Sequence, residues 1–203
     1  LDKFENEQMK DYVTPVINLS KAPGERQAWG RPAIVVYLWS AIELLFIYNP
    51  WQISSAVRVA ALRAFGARIG EGVLVRQRTR VKFPWNLSIG DNCWIGEGAW
   101  IHNQNRVDIS NDVVISQETF ITTGSHALAA DMALITRPVI IEEGAWLATR
   151  SIVLGGVRVG RSAVISPNTV IPPNTTIPEN SIVGLPMIQV SKKRFPYEDL
   201  GAK

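Results

Sequence analysis

The chain of 203 residues holds two histidines, His102 and His126. His126 closes the run Ile121-Thr-Thr-Gly-Ser-His126 and stands at the mouth of a connection spanning 127–140. Imidazole titrates near neutral pH, so a histidine at such a place can take the proton of a hydroxyl. The surrounding sequence offers an amide, Asn103, and two indoles, Trp85 and Trp146, which suit a polar, ring-shaped substrate. Each histidine has a competing role as a solvated surface side chain, and His102 more so than His126. Composition disfavours other chemistries. Two histidines do not make a three-histidine zinc site, so no metal is required. The single Cys93 gives neither a disulfide nor a thiolate metal centre within one chain. No P-loop, Ser/His/Asp order or Cys/His pair is present.

The elements that position these residues are written in a period of six. Seventeen hexads, each beginning with Ile, Val or Leu, run from Ile69 to Val183. Four residues after most starts stands a small or slender side chain, among them Val73, Thr79, Cys93, Ala99, Ser125, Ala145 and Ala163. Six matches neither the helical period nor a simple alternating strand; it is the mark of a hexapeptide β-helix. Three hexads close a triangular coil of 18 residues, with the aliphatic side chains inside and stacked about 4.8 Å apart. Gly at the second position and Gly or Asn at the fourth suit corners with unusual backbone angles. The expected fold is mainly β, a parallel β-helix preceded by helices.

The spacing of the coils is uneven. Ile69, Ile89, Ile109, Ile141, Val159 and Ile177 stand 20, 20, 32, 18 and 18 residues apart. The surplus always follows the third hexad, at 81–88, 101–108 and 121–140. One side of the prism therefore carries two bulges and a protruding loop, and it holds Lys82, Phe83, Trp85, His102, Asn103 and His126. An irregular side on a regular scaffold is where a site is expected.

Charge and length set further bounds. A formal charge of +3 with scattered basic residues and no interleaving of basic and aromatic side chains argues against a nucleic-acid partner. The expected division is an irregular and helical segment, 1–66, a β-helix domain, 67–187, with its loop 127–140, and a tail, 188–203. Residues 32–48 are strongly apolar but short for a membrane span and interrupted by Glu43. They are expected to form a helix packed on the prism or on a partner subunit, with peripheral contact to a bilayer left open. A second helix is expected over 54–65, with Val57, Ala60, Ala61 and Ala64 as a small-residue face and Gly66 as its stop. One cysteine and the lack of a secretory pattern point to a cytoplasmic protein, with the inner face of the membrane also open.

Ile121-Thr-Thr-Gly-Ser-His126, followed by Leu134-Ile-Thr-Arg-Pro-Val-Ile-Ile-Glu-Glu-Gly-Ala-Trp146, resembles the hexapeptide-repeat O-acetyltransferases, and the colanic acid biosynthesis subgroup above all. Phe65-Gly-Ala-Arg-Ile-Gly70 and Phe83-Pro-Trp-Asn-Leu-Ser-Ile-Gly90 fit the same subgroup, and the likeness covers roughly residues 29–194. It implies a left-handed prism, acetyl-CoA as donor, a homotrimer, and active sites in the clefts between neighbouring prisms. It implies His126 as the catalytic base, Asn103 as an acceptor-binding amide and Trp146 as an aromatic lining the pantetheine and acceptor region. Thr149, Ser166 and Pro167 match positions that contact the coenzyme. Ala127 departs from the Asp common after the histidine, and Val170-Ile-Pro-Pro-Asn174 lacks a Thr and a Lys found near the adenosine. Lys192, Lys193 and Arg194 are candidates to meet the coenzyme phosphates instead. The implied activity is transfer of acetyl to a sugar hydroxyl of an exopolysaccharide or its precursor. An N-acetyltransferase acting on an amino sugar, a non-catalytic β-helix that binds a partner, and a zinc carbonic anhydrase of the same fold are the alternatives.

Overall fold

A computed structural model describes residues 15–184. It is a left-handed parallel β-helix of about six turns preceded by helices. Lys192, Lys193 and Arg194 lie outside the described residues. The prism has three parallel sheets. Face A stacks Arg68–Ile69, Leu87–Ile89, Val107–Ile109, Val139–Ile141, Arg158–Val159 and Thr176–Ile177. Face B stacks Leu74–Val75, Trp94–Ile95, Val114–Ile115, Trp146–Leu147, Val164–Ile165 and Ile182–Val183. Face C stacks Arg80–Val81, Trp100–His102, Phe120–Thr122, Ile152–Val153 and Val170–Ile171.

The register follows the hexads. On face A, Ile69, Ile89, Ile109, Ile141, Val159 and Ile177 pair in one column, despite the unequal spacing between them. The aliphatic starts point inward, and each fully buried Ile or Val contributes about 1.5–3 kcal/mol. The small residues four positions on are buried beside them, with Cys93, Ala99, Val113, Ala145, Ser151 and Ala163 fully enclosed. Thr175 and Ser181, near the far end, are half-buried, and Ser125 departs furthest. It is exposed, because the chain has already left the prism at Thr123.

The two glycine positions have different causes. The fourth residue of a hexad is left-handed: Gly72, Asn92, Gly98, Gly144, Asn168, Asn174 and Asn180 all have φ between 52° and 71°. Arg78, Asp112, Glu118, Arg150 and Ser162 take the same conformation without the ease of Gly or Asn. The second-position glycines need no unusual angle, contrary to expectation. They sit where the next coil leaves no room for a side chain: a Cβ on Gly160 would lie 2.6 Å from Glu179 N and 2.7 Å from Ile177 O.

The open end of the prism is closed by the helices. α1 spans Ala33–Ile42 and runs on through a π-helical turn, Glu43–Ile47; α2 spans Ser55–Ala64. The first strand of each face has an edge with no coil beneath it, and a bare edge invites unwanted pairing. On face C, Val81 N donates to Glu43 Oε1 at 2.7 Å and Val81 O accepts from Trp39 Nε1 at 2.8 Å. On face B, Val75 N donates to Ser55 Oγ at 2.8 Å and Val75 O accepts from Arg58 Nη1 at 3.4 Å. On face A, Ile69 O accepts from Arg63 Nε at 3.0 Å. Of the small-residue face of α2, only Ala61 packs against the core. Val57, Ala60 and Ala64 are exposed, while Arg58, Val59 and Leu62 are buried. Arg58 is turned inward because its guanidinium also reaches the carbonyls of Ile47 and Gln52. Gly66, at φ 98°, ends the helix as expected.

Replacing Gly160 with Ala forces the neighbouring coil to shift and should cost about 1–3 kcal/mol in urea denaturation. Burial holds the Glu43 carboxyl above its ordinary 4.5, against the opposing pull of Val81 N–H, Arg80 and Lys82. The native state thus holds this proton more tightly than the unfolded chain, and ionisation of Glu43 costs stability as pH rises from 4.5. Glu43→Gln keeps the acceptor for Val81 N–H without the buried charge. It should melt higher than the parent at pH 8, and the gain should vanish below pH 4.5.

Candidate active site

The third hexad of each early coil runs into the corner between faces C and A, and there the extra residues are stitched into a column. Phe83 N donates to Asn103 Oδ1 at 2.9 Å, and Asn103 Nδ2 returns a bond to Phe83 O at 2.7 Å. Asn86 Nδ2 donates to the carbonyls of Asn103 and Gln104, both at 3.3 Å. Asn105 N donates to Thr123 Oγ1 at 2.9 Å, and Asn105 Nδ2 to Thr136 Oγ1 at 3.0 Å. Asn103 is fully buried with both amide atoms occupied by Phe83. It builds the bulge and is not presented to an acceptor, which corrects its expected role.

Above these bulges the 32-residue coil leaves the prism as an antiparallel hairpin, Gly124–His126 against Leu134–Thr136. His126 pairs with Leu134 near the tip and is exposed to solvent. The tip is held by Ala127 N to Ala133 O at 2.9 Å, Met132 N to Ala127 O at 3.2 Å, and Ala133 N to Asp131 Oδ1 at 2.9 Å. Met132 is left-handed, with φ 58°, and its carbonyl lies 2.8 Å from His126 Nδ1. A carbonyl only accepts, so Nδ1 carries the hydrogen and the lone pair of the neutral ring is on Nε2. The hairpin thus fixes both the orientation and the tautomer of the His126 ring.

At the foot of the hairpin is a cleft of about 440 Å³, lined among others by Arg68, Trp85, Gln104, Asn105, Arg106 and Thr136. Thr136 faces Gly124 in the hairpin, two residues before His126. Trp85 stacks on Phe83 with ring centroids 5.0 Å apart, and its Nε1 donates to Trp29 O at 2.8 Å. One edge of the indole is thereby held by the N-terminal segment while the residue stays half-buried at the cleft. Gln104 Nε2 donates to Glu25 Oε2 at 3.0 Å. Gln104, Asn105, Arg106 and Arg68 were not singled out from the sequence. The signal was the polar run Asn103-Gln-Asn-Arg106 inside a bulge already recognised as irregular.

His102 lies one coil below, on face C, paired with Thr122. Its Nδ1 is 3.2 Å from Thr122 Oγ1, and the ring meets Trp100 edge-on at 5.6 Å. Burial, and then the nearby Lys82, lower its pKa from the ordinary 6.5, so it is neutral at physiological pH. The half-buried ring is neither the solvated side chain of one expectation nor part of the cleft lining of the other.

Trp146 is not at this corner. It stands on face B, half-exposed, with Nε1 donating to Ser116 Oγ at 2.8 Å. Thr149 Oγ1 is 3.2 Å from Gln117 Oε1 at the corner between faces B and C. Ser116 and Gln117 line a groove of about 420 Å³ with Trp94, Leu74 and Val114. Thr149 O accepts from Asn168 N at 3.0 Å, which stacks Ser166 and Pro167 on the next coil of the same corner. Among the described residues, Trp146, Thr149, Ser166 and Pro167 therefore lie on face B and the corner it forms with face C, and His126 occupies another corner, with face C between them.

A prism of hexapeptide coils with a histidine hairpin at one corner defines a hexapeptide-repeat acyltransferase. The family model described as the hexapeptide repeat of succinyl-transferase matches residues 86–122 and 138–173. The Escherichia coli K12 chain named as a colanic acid biosynthesis acetyltransferase, WcaF, is 32% identical over 138 residues, 67% of this chain and 75% of its own length. The chain belongs to the hexapeptide-repeat acetyltransferase family. Among solved structures, a hexapeptide-repeat acetyltransferase of Vibrio cholerae in complex with acetyl-coenzyme A superposes with a TM-score of 0.69 at 21% identity, covering 80% of this chain and 93% of that one. A maltose O-acetyltransferase of Clostridium difficile superposes with a TM-score of 0.65 at 18% identity, covering 81% and 93%. These two share the fold.

Asn103→Ala strands the buried N–H and C=O of Phe83 and should cost about 2 kcal/mol of stability, measured by urea denaturation. Its kcat under saturating substrates should fall by about tenfold or less, since the side chain braces the bulge without lining the cleft.

Proposed function

We propose that the chain transfers acetyl from acetyl-CoA to a sugar hydroxyl of an exopolysaccharide or its precursor. The observation that carries this reading is the bond from His126 Nδ1 to Met132 O, which leaves Nε2 free to accept a proton. The acceptor sits in the cleft beside Trp85, with Gln104, Asn105 and Arg106 offering donors to its hydroxyls. His126 Nε2 takes the proton of one hydroxyl as its oxygen bonds to the acetyl carbonyl. The carbon–sulfur bond breaks, and the imidazolium returns the proton to the departing thiolate. General-base assistance of this kind is worth about 10²–10⁴-fold. No acetylated side chain is formed, so no nucleophilic Ser or Cys is needed.

Acetyl-CoA supplies the activated acetyl group. The corner between faces B and C fits it: Trp94 and Trp146 give apolar walls, and Ser116, Gln117 and Thr149 give polar contacts for the pantetheine amides. Because that corner and the His126 corner are separated by face C, donor and base meet when one copy sets its hairpin against the coenzyme corner of the next. A homotrimer, with a site in each of its three clefts, satisfies this arrangement. The apolar column of Trp94, Val114, Trp146 and Val164 on face B gives neighbouring copies a surface to cover.

His126→Ala should lower kcat at least a hundredfold while leaving the thermal shift induced by CoA unchanged. Near-parental turnover would overturn the assignment of the base. Identifying the acetylated atom by NMR across a panel of neutral and amino sugars should place the acetyl on oxygen.

A further inference from the structure

The surface of α1 is apolar on both sides. Its inner side buries Val36, Trp39 and, in the π-helical turn, Ile47. Its outer side presents Ile34, Tyr37, Leu38, Leu44, Leu45, Phe46 and Tyr48, all exposed and none charged. The one ionisable carboxylate of the segment, Glu43, faces inward to Val81 N. A helix over an ordinary soluble core has a polar outer side; one apolar all round is covered by something else. The patch continues into the loop before α2, where Trp51 is 90% exposed and Ile53 is 86% exposed.

The rim of this patch is basic. Arg78 N donates to Tyr48 O at 3.2 Å, which sets the strand region carrying Arg76, Arg78 and Arg80 beside the loop. All three arginines are exposed. Glu97, 3.6 Å from Arg78, is the carboxylate paired with them among the described residues. Residues 31–82 contain eight basic and two acidic side chains, a net +6 in a chain of net +3. Of these, Arg76, Arg78 and Arg80 stand beside the apolar surface, whereas Arg58 is buried, Arg63 pairs with Glu71 and Arg68 lines the acceptor cleft.

We propose that α1, its π-helical turn and the Trp51–Ile53 loop dock the protein on an anionic lipid bilayer, lying in the interface with Arg76, Arg78 and Arg80 against the headgroups. Buried apolar side chains and a polybasic rim are the two signals that together hold a protein at a membrane surface. The Trp and Tyr side chains suit the headgroup level. The fifteen residues of α1 and its turn are about 22 Å long, too short for a hydrocarbon core of about 30 Å. No helix among the described residues is long and apolar enough to cross a membrane. A second copy docking symmetrically on this patch would bring two net-positive segments together, whereas anionic lipid neutralises them. The docking is independent of which acceptor the enzyme uses.

The test is co-sedimentation of the full chain with vesicles of phosphatidylcholine alone and of phosphatidylcholine mixed with phosphatidylglycerol. Binding to the mixed vesicles is expected, weakening at raised salt. The double variant Trp51→Ser/Ile53→Ser should reduce that binding about tenfold or more with its near-UV circular dichroism unchanged. Arg76→Gln/Arg78→Gln should remove the preference for anionic vesicles. The proposal is overturned if the parent stays in solution with the mixed vesicles, or if the Trp51/Ile53 variant binds them as the parent does. It is equally overturned if that variant instead loses an oligomer in lipid-free buffer with vesicle binding intact, which would make the patch a contact between copies.

Discussion

The parallel ladder of the prism depends on one constraint: every coil must return the chain to the same column, whatever its length. Ile69, Ile89, Ile109, Ile141, Val159 and Ile177 hold one column although their separations range from 18 to 32 residues. Extra residues can be placed only where the chain is between faces, because an insertion within a hexad would turn its aliphatic side chain outward. The corner between faces C and A absorbs all of them. The same constraint explains the glycines that have ordinary backbone angles: coils in register bring backbone against backbone, and at Gly70, Gly90, Gly96 and Gly160 nothing larger fits.

A ladder must also end. The first coil has three open edges, and the N-terminal helices satisfy each of them with side chains: Arg63 at Ile69, Ser55 and Arg58 at Val75, and Glu43 and Trp39 at Val81. The inward charges Glu43 and Arg58 are the consequence. Burial opposes the charge on both, and the hydrogen bonds that they make to open-edge backbone groups offset part of that cost. Closing the prism with a helix whose charge points inward leaves that helix with an outer side that is entirely uncharged.

The bulged corner is rigid for a reason that bears on chemistry. Successive bulges share hydrogen bonds through Asn103, Asn86, Asn105 and Thr123, so the hairpin rises from a cross-braced base rather than from a free loop. An imidazole held this way loses little freedom when it meets a partner. The Met132 carbonyl does for His126 what a carboxylate does in other sites: it fixes a ring orientation and a tautomer. The tip itself is secured by Asp131, whose carboxylate accepts from Ala133 N.

The six-residue period by itself determined the fold, the inward residues and the corner at which the irregularity lies, since a stack of identical coils turns one-dimensional spacing directly into position. It also singled out His126, which interrupts the period. Three things were beyond its reach. Asn103 reads as an exposed amide beside His102, yet hydrogen bonds to Phe83, twenty residues away, bury it. Arg58 reads as a polar residue on a small-residue helix, yet the open edge of the prism draws it inward. Trp146 and His126 read as neighbours across a short loop, yet they stand at different corners because 20 residues suffice to carry the chain from one face, through a hairpin, to another. For Asn103 and Arg58 the deciding partner is a backbone group supplied by a coil of the prism. Which backbone groups are left unpaired is a property of the folded stack, and only the tertiary structure decides it.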